Sequence, residues 1–175
     1  MRPPLQPLHQ RLPVEVMMSL HVPILETRIL VWPDESTCVA WAGALATRPG
    51  LRDACIELRG PLGAGKTTLV RHLLRALGVQ GRVKSPTYAV LEQYTLPGLD
   101  ILHFDFYRFN DPREWDDAGF RELFAQPGLK ISEWPEHAAG RLPPADLVVH
   151  IEPLEGDSRQ VTVQAGTVRG LGLLS

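Results

Sequence analysis

Residues 54–67 read Ala54-Cys55-Ile56-Glu57-Leu58-Arg59-Gly60-Pro61-Leu62-Gly63-Ala64-Gly65-Lys66-Thr67, and this stretch decides the fold. Ala54–Leu58 is a short apolar run of strand character that runs directly into Gly60. The eight residues from Gly60 to Thr67 fit GxxxxGK[ST], the phosphate-binding P-loop. Glycines let that backbone fold tightly enough to aim successive N–H groups at phosphate oxygens. Beyond it, Leu69, Val70, Leu73, Leu74 and Leu77 mark one face of a helix, with Gly78 in the C-cap position. The helix adds its positive N-terminal end to the cradle. The expected phosphate-binding set is Gly60, Leu62, Gly63, Ala64, Gly65, Lys66, Thr67 and Thr68. Lys66 reaches the β- and γ-phosphates as a point charge, and the Thr67 hydroxyl ligates Mg²⁺. Random draws from this composition produce the pattern about 0.002 times per chain, and the strand-loop-helix context narrows the reading further.

Working outward, Arg28–Trp32 is a short strand candidate, and Pro33-Asp34-Glu35-Ser36 starts a helix with Asp34 or Ser36 as cap. Strands are expected at Thr87–Thr95 and Leu99–Phe106, joined as a hairpin through Leu96-Pro97-Gly98. Asp111-Pro112 opens a short helix. Leu129–Trp134 is a strand stopped by Pro135, and Leu147–Ile151 and Gln160–Gln164 flank a turn at Gly156-Asp157. The order gives an α/β chain, a P-loop NTPase-like three-layer fold with a mixed parallel and antiparallel sheet. Its expected divisions are a poorly ordered proline-rich extension at 1–25, one P-loop domain at 26–168 and a flexible tail at 169–175.

At 175 residues, with 44% hydrophobic and 22% charged, the chain has the size and balance of one soluble domain. No apolar stretch is long enough to span a membrane, and the interrupted first 18 residues do not form a signal peptide, so a cytoplasmic location is expected. A net charge of −2 argues against a domain whose main task is gripping a nucleic-acid backbone. Cys38 and Cys55 lack metal or redox spacing and are expected to be buried free thiols.

A P-loop alone does not name a reaction. Two acids stand at strand ends, Asp105 in His103-Phe104-Asp105-Phe106-Tyr107-Arg108 and Glu133 in Ile131-Ser132-Glu133-Trp134-Pro135. Spacing alone leaves each equally a surface carboxylate. His103 and Tyr107 alternate with Asp105 along the strand and, if they face its side, support it. Ser85 and Thr87, in Lys84-Ser85-Pro86-Thr87-Tyr88, put hydroxyls on a proline-stiffened loop that reads either as a switch segment or as an ordinary strand entry.

Taken together, GPLGAGKTTLVRHLLRALG, VKSPTYAVLEQY, ILHFDFYR and EWPEHAAGRLP, in this order and at these distances, resemble the TsaE family of small bacterial P-loop ATPases needed for threonylcarbamoyladenosine in tRNA. The resemblance runs from about Ile29 to about Val163. It implies ATP and Mg²⁺ as ligands, with Lys66 and Thr67 on phosphate and metal. By the same resemblance, Asp105 lies by the nucleotide and serves hydrolysis, Glu133 is a Walker B-like metal-associated acid, and Ser85 and Thr87 lie near the γ-phosphate. Trp134 is expected to pack the site, and Glu35, Thr37 and Arg159 match the adenine end. The implied metal set is Thr67, Glu133 and Asp105, and the implied catalytic set is Asp105, Glu133 and Lys66. The implied partners are TsaD and TsaB, whose transferase complex ATP hydrolysis would drive or reset, with tRNA met only through that complex. The competing readings are a small-molecule kinase, for which 111–128 with Arg113 and Arg121 is the lid candidate, and a non-catalytic nucleotide sensor.

Overall fold

The computed structural model describes residues 23–111, 113–138 and 140–175. The strands are β1 (Glu26–Trp32), β2 (Cys55–Arg59), β3 (Leu91–Leu96), β4 (Leu99–Asp105), β5 (Leu129–Glu133), β6 (Leu147–Pro153) and β7 (Arg159–Ala165). The helices are α1 (Glu35–Ala46), α2 (Lys66–Leu77), α3 (Arg113–Asp117), α4 (Phe120–Ala125) and α5 (Val168–Leu174), with 3₁₀ turns at Pro49–Asp53 and Pro135–Ala138. One seven-stranded sheet has the order β1-β7-β6-β2-β5-β4-β3. β6, β2, β5 and β4 run parallel, while β1-β7, β7-β6 and β4-β3 pair antiparallel. The mixed α/β sheet is therefore present as expected.

β5 is buried at every position and β4 at all but Asp100, as strands covered on both faces require. On one face Ile56, Leu58, Ile131, Val149 and Val163 join the inward residues of α1, α2 and α5 in the main core. α1 contributes Cys38, Ala42 and Leu45, and its first turn is capped by Asp34, which accepts from the Thr37 amide at 3.0 Å. α2 ends at Gly78 (φ 106°), where Val79 N–H returns to Leu74 O at 2.9 Å. On the other face Leu102, Phe104, Phe106, Phe109, Trp115 and Phe120 form a second, aromatic core. This outer layer is partial: Ile29 and Val31 on the edge strand β1 stay exposed.

Three expectations change. Residues 87–90 form turns, not strand, and β3 begins at Leu91. The cause is tertiary: Val90 adopts φ 66°, which ends extended structure, and its carbonyl accepts from Asp105 N–H at 2.9 Å. The tail expected to be flexible is the ordered helix α5. Thr167 caps it by accepting from Gly170 N–H, and Leu173 and Leu174 are buried. Of the proline-rich extension, residues 1–22 lie outside the described residues, as does Pro112 at the expected helix start, while Leu25 N–H already bonds Ala165 O at 2.8 Å. Of the two thiols, Cys38 is buried and Cys55 half-buried, and burial pushes Cys38 up to about 11, so it remains a thiol at neutral pH.

The anchor of α5 is Asp146, 4% exposed. Its carboxylate accepts from Cys55 N–H at 2.8 Å, Thr167 Oγ1 at 2.5 Å and Arg169 at 3.3 Å. At Gly170 a Cβ would run into the Asp146 carbonyl oxygen, so helix and strand lie back to back there. Asp146→Ala strands the Cys55 amide and the Thr167 hydroxyl, both half-buried. The expected loss is about 2–4 kcal/mol, read as a fall in Tm of roughly 5–15 °C by circular dichroism. An unchanged Tm would remove Asp146 from the account of the C-terminal helix.

Candidate functional site

The P-loop leaves the C-terminal end of β2, the centre of the sheet, and turns into α2. Gly60 (φ 132°) is required by close approach, because a Cβ there would strike the Ile151 carbonyl oxygen of β6. Gly65 (φ 110°) precedes the first turn of α2, and Leu69 N–H bonds its carbonyl at 2.9 Å. At Gly63 and Gly65 nothing lies within 4 Å of where a Cβ would sit, so the concave side of the loop is open. That opening is a cavity of about 300 Å³. It is lined by the loop from Leu62 to Thr68 and by Ser85, Thr87, Asp105, Tyr107, Glu133 and Trp134.

Parallel pairing brings the two strand-end acids together. Glu133 ends β5 and Asp105 ends β4, and the two are register partners. Both are 2% exposed. Glu133 accepts from the Thr67 hydroxyl, with Oε1 and Oε2 at 2.9 and 3.0 Å, and its Oε1 lies 2.9 Å from His103 Nε2. Asp105 serves a different purpose. Its Oδ2 accepts from the hydroxyls of Ser85 and, at 2.9 Å, Thr87, while Oδ1 accepts from Tyr107 N–H at 2.9 Å. The Ser85–Thr87 segment is thus tied to Asp105, and the five groups named with the metal and the γ-phosphate (Thr67, Glu133, Asp105, Ser85 and Thr87) face one cavity.

Lys66 is 4% exposed and turns back on its own loop, donating to Gly60 O at 2.7 Å and Pro61 O at 3.0 Å. Its ammonium lies 3.9 Å from the centroid of the Trp134 ring. Burial holds the ammonium below its ordinary pKa, and Glu133, Glu136 and Asp105 oppose that shift. Trp134 has φ 55°, a backbone region costly for a bulky residue before proline. Its ring lies against Tyr107, with centroids 5.0 Å apart, and against His137 at 5.7 Å. That packing fixes the indole as the wall behind Lys66.

A second cavity, about 560 Å³, shares Ala64, Gly65 and Thr68 with the first. Glu35 and Arg159 line it, and Arg159 Nε donates to Ala64 O at 2.9 Å, joining β7 to the P-loop. Thr37 does not line it; its hydroxyl and amide are both engaged by the capping Asp34. Trp32, Cys38 and Asp157 also line it and carried no recognisable motif in the sequence.

The donor chemistry suits Mg²⁺. A hydroxyl and a carboxylate, both hard oxygen donors, meet at the phosphate cavity, where substrate phosphates would supply further ligands. Among the described residues no group of three or more His, Cys, Asp or Glu could hold a metal by itself. The segment proposed as a kinase lid lies elsewhere. Trp115, Phe120 and Phe124 pack into the aromatic core, while Arg113 pairs with Asp111 at 2.6 Å and Arg121 with Asp116 at 3.2 Å. Arg108 stacks on Tyr88 with 4.0 Å to the ring centroid. No helix among the described residues is long and apolar enough to cross a membrane.

The Haemophilus influenzae tRNA threonylcarbamoyladenosine biosynthesis protein TsaE is 43% identical over 120 residues, 69% of this chain and 75% of that protein. The Bacillus subtilis protein of the same name is 33% identical over 133 residues, 76% of this chain and 81% of that protein. The crystal structure of Bacillus subtilis YdiB superposes with a TM-score of 0.72 at 25% identity, covering 85% of this chain and 92% of that one. The sequence profile of the family described as "Threonylcarbamoyl adenosine biosynthesis protein TsaE" matches residues 32–161, and the chain belongs to that family.

Proposed function

We propose that this chain binds ATP with Mg²⁺ and hydrolyses it in the pathway that forms threonylcarbamoyladenosine on tRNA. The observation that carries the reading is the meeting of Thr67, Glu133 and Lys66 around one open phosphate cradle. Lys66 exchanges its two loop carbonyls for phosphate oxygens, and the P-loop amides take the remaining charge. Thr67 and Glu133 would hold Mg²⁺, which when bound would offset the triphosphate charge. Asp105 keeps Ser85 and Thr87 beside the γ-phosphate and, once the segment moves, its carboxylate is available to orient the attacking water. The 560 Å³ cavity takes the nucleoside, with Glu35 and Arg159 at its edge and Trp32 as a flat wall.

Working partners are proteins of the same pathway, TsaD and TsaB, and the setting is the cytoplasm. Hydrolysis drives or resets their complex, and tRNA is met only through it. A cavity open on one side and lined, among the described residues, by no arginine fits slow turnover by the chain alone. Phosphate release is therefore expected to rise about tenfold or more when purified TsaB and TsaD are added, a lowering of the barrier by about 1.4 kcal/mol. An unchanged rate defeats the partner-driven reading. Transfer of labelled γ-phosphate to a metabolite would replace it with a kinase.

A further inference from the structure

His103 is fully buried on β4, and its only hydrogen-bond partner among the described residues is Glu133 Oε1, at 2.9 Å from Nε2. A carboxylate accepts only, so Nε2 carries the proton. The other nitrogen, Nδ1, is buried with no partner. An imidazole with an orphaned nitrogen is a poor core residue, since an aliphatic side chain would leave nothing unsatisfied. What His103 supplies that an aliphatic residue could not is one N–H aimed at Glu133.

Glu133 has two side-chain donors among the described residues, Thr67 and His103. The Thr67 hydroxyl reaches both oxygens, so by itself it does not distinguish them. If its oxygen turns to a metal, that bond is weakened or lost. The His103 bond alone distinguishes Oε1 from Oε2 and does not depend on the ligand.

We infer that His103 is a positioning residue, holding Glu133 by Oε1 so that Oε2 stays presented to the phosphate cavity beside Thr67. The inference deepens the proposed site and rests on that reading. It predicts a specific loss: the gain in nucleotide affinity conferred by Mg²⁺, not affinity itself.

The test compares ATP binding with Mg²⁺ and with EDTA, by calorimetry, in wild type, His103→Leu, His103→Gln and His103→Asn. A glutamine amide can reach the position of Nε2, whereas asparagine is too short. His103→Leu and His103→Asn are expected to lower the Mg²⁺-dependent gain about tenfold, the usual scale for groups that orient a metal ligand, with EDTA affinity within about twofold of wild type. His103→Gln is expected to restore most of the gain. If His103→Leu does not fold, the Gln and Asn pair decides. Equal Mg²⁺ gains in Gln and Asn, or a wild-type gain in Leu, overturn the inference and leave the ATP site standing. A wild-type chain that binds ATP equally well in EDTA overturns the metal reading and the inference with it.

Discussion

Lys66→Ala is expected to weaken ATP–Mg²⁺ binding by about 100-fold, measured by isothermal titration calorimetry. Two charge-assisted bonds to β- and γ-phosphate oxygens contribute about 1.5–3 kcal/mol each, which taken whole would be about 10²–10⁴-fold. The lower end applies because the ligand-free lysine is already engaged. It donates to Gly60 O and Pro61 O and lies over the Trp134 ring, so nucleotide binding gains only the difference between those contacts and the phosphates. The substitution also frees two P-loop carbonyls, and a loss of loop order would mimic a loss of charge. Lys66→Met separates the two, since it keeps much of the aliphatic stem over Trp134 without the ammonium. Both variants should fail alike. Binding within threefold of wild type in either would show that the backbone amides, not the lysine, carry the affinity.

The part of this site legible in the sequence is the part made by local backbone rules. Gly60, Gly63 and Gly65 announce positive φ, Gly60 marks a close approach as well, Asp34 announces a cap, and the spacing from Leu69 to Leu77 announces a buried helix face. Asp105 and Glu133 were legible as strand-end acids, but their convergence needed the parallel β4-β5 register. What local rules could not give are contacts set by residues distant in the chain. Thr87 leaves the extended path because its hydroxyl is drawn to Asp105, 18 residues on, and Val90 turns with it. The final helix forms on an anchor, Asp146, that a Gly- and Leu-rich tail does not reveal. Trp134 takes a left-handed backbone before a proline, against its own preference, and only the packing of its ring on Tyr107, His137 and Lys66 explains it.

Glu133→Gln is expected to lower Mg²⁺-dependent ATP hydrolysis by about 10²–10³-fold, the scale set by removing one preorganised electrostatic group from a transition state. ATP affinity in EDTA should be nearly unchanged, because the P-loop and Lys66 remain. The substitution keeps shape and size, so the difference is charge and one acceptor. An amide offers Oε1 or Nε2 at each position. With both Thr67 and His103 donating to Glu133, one of them would face an amide N–H instead of an oxygen. The conflict is smallest if the amide oxygen takes His103 and Thr67 turns its hydroxyl elsewhere. Stability should move the other way. At 2% exposure, Glu133 is a desolvated carboxylate, and a neutral isostere removes that desolvation cost while keeping its shape. A Tm equal to or above wild type, together with lost hydrolysis, identifies Glu133 as a charge kept for chemistry at the expense of stability. A large fall in Tm would instead make it a structural acid, and hydrolysis at the wild-type rate would remove it from the site.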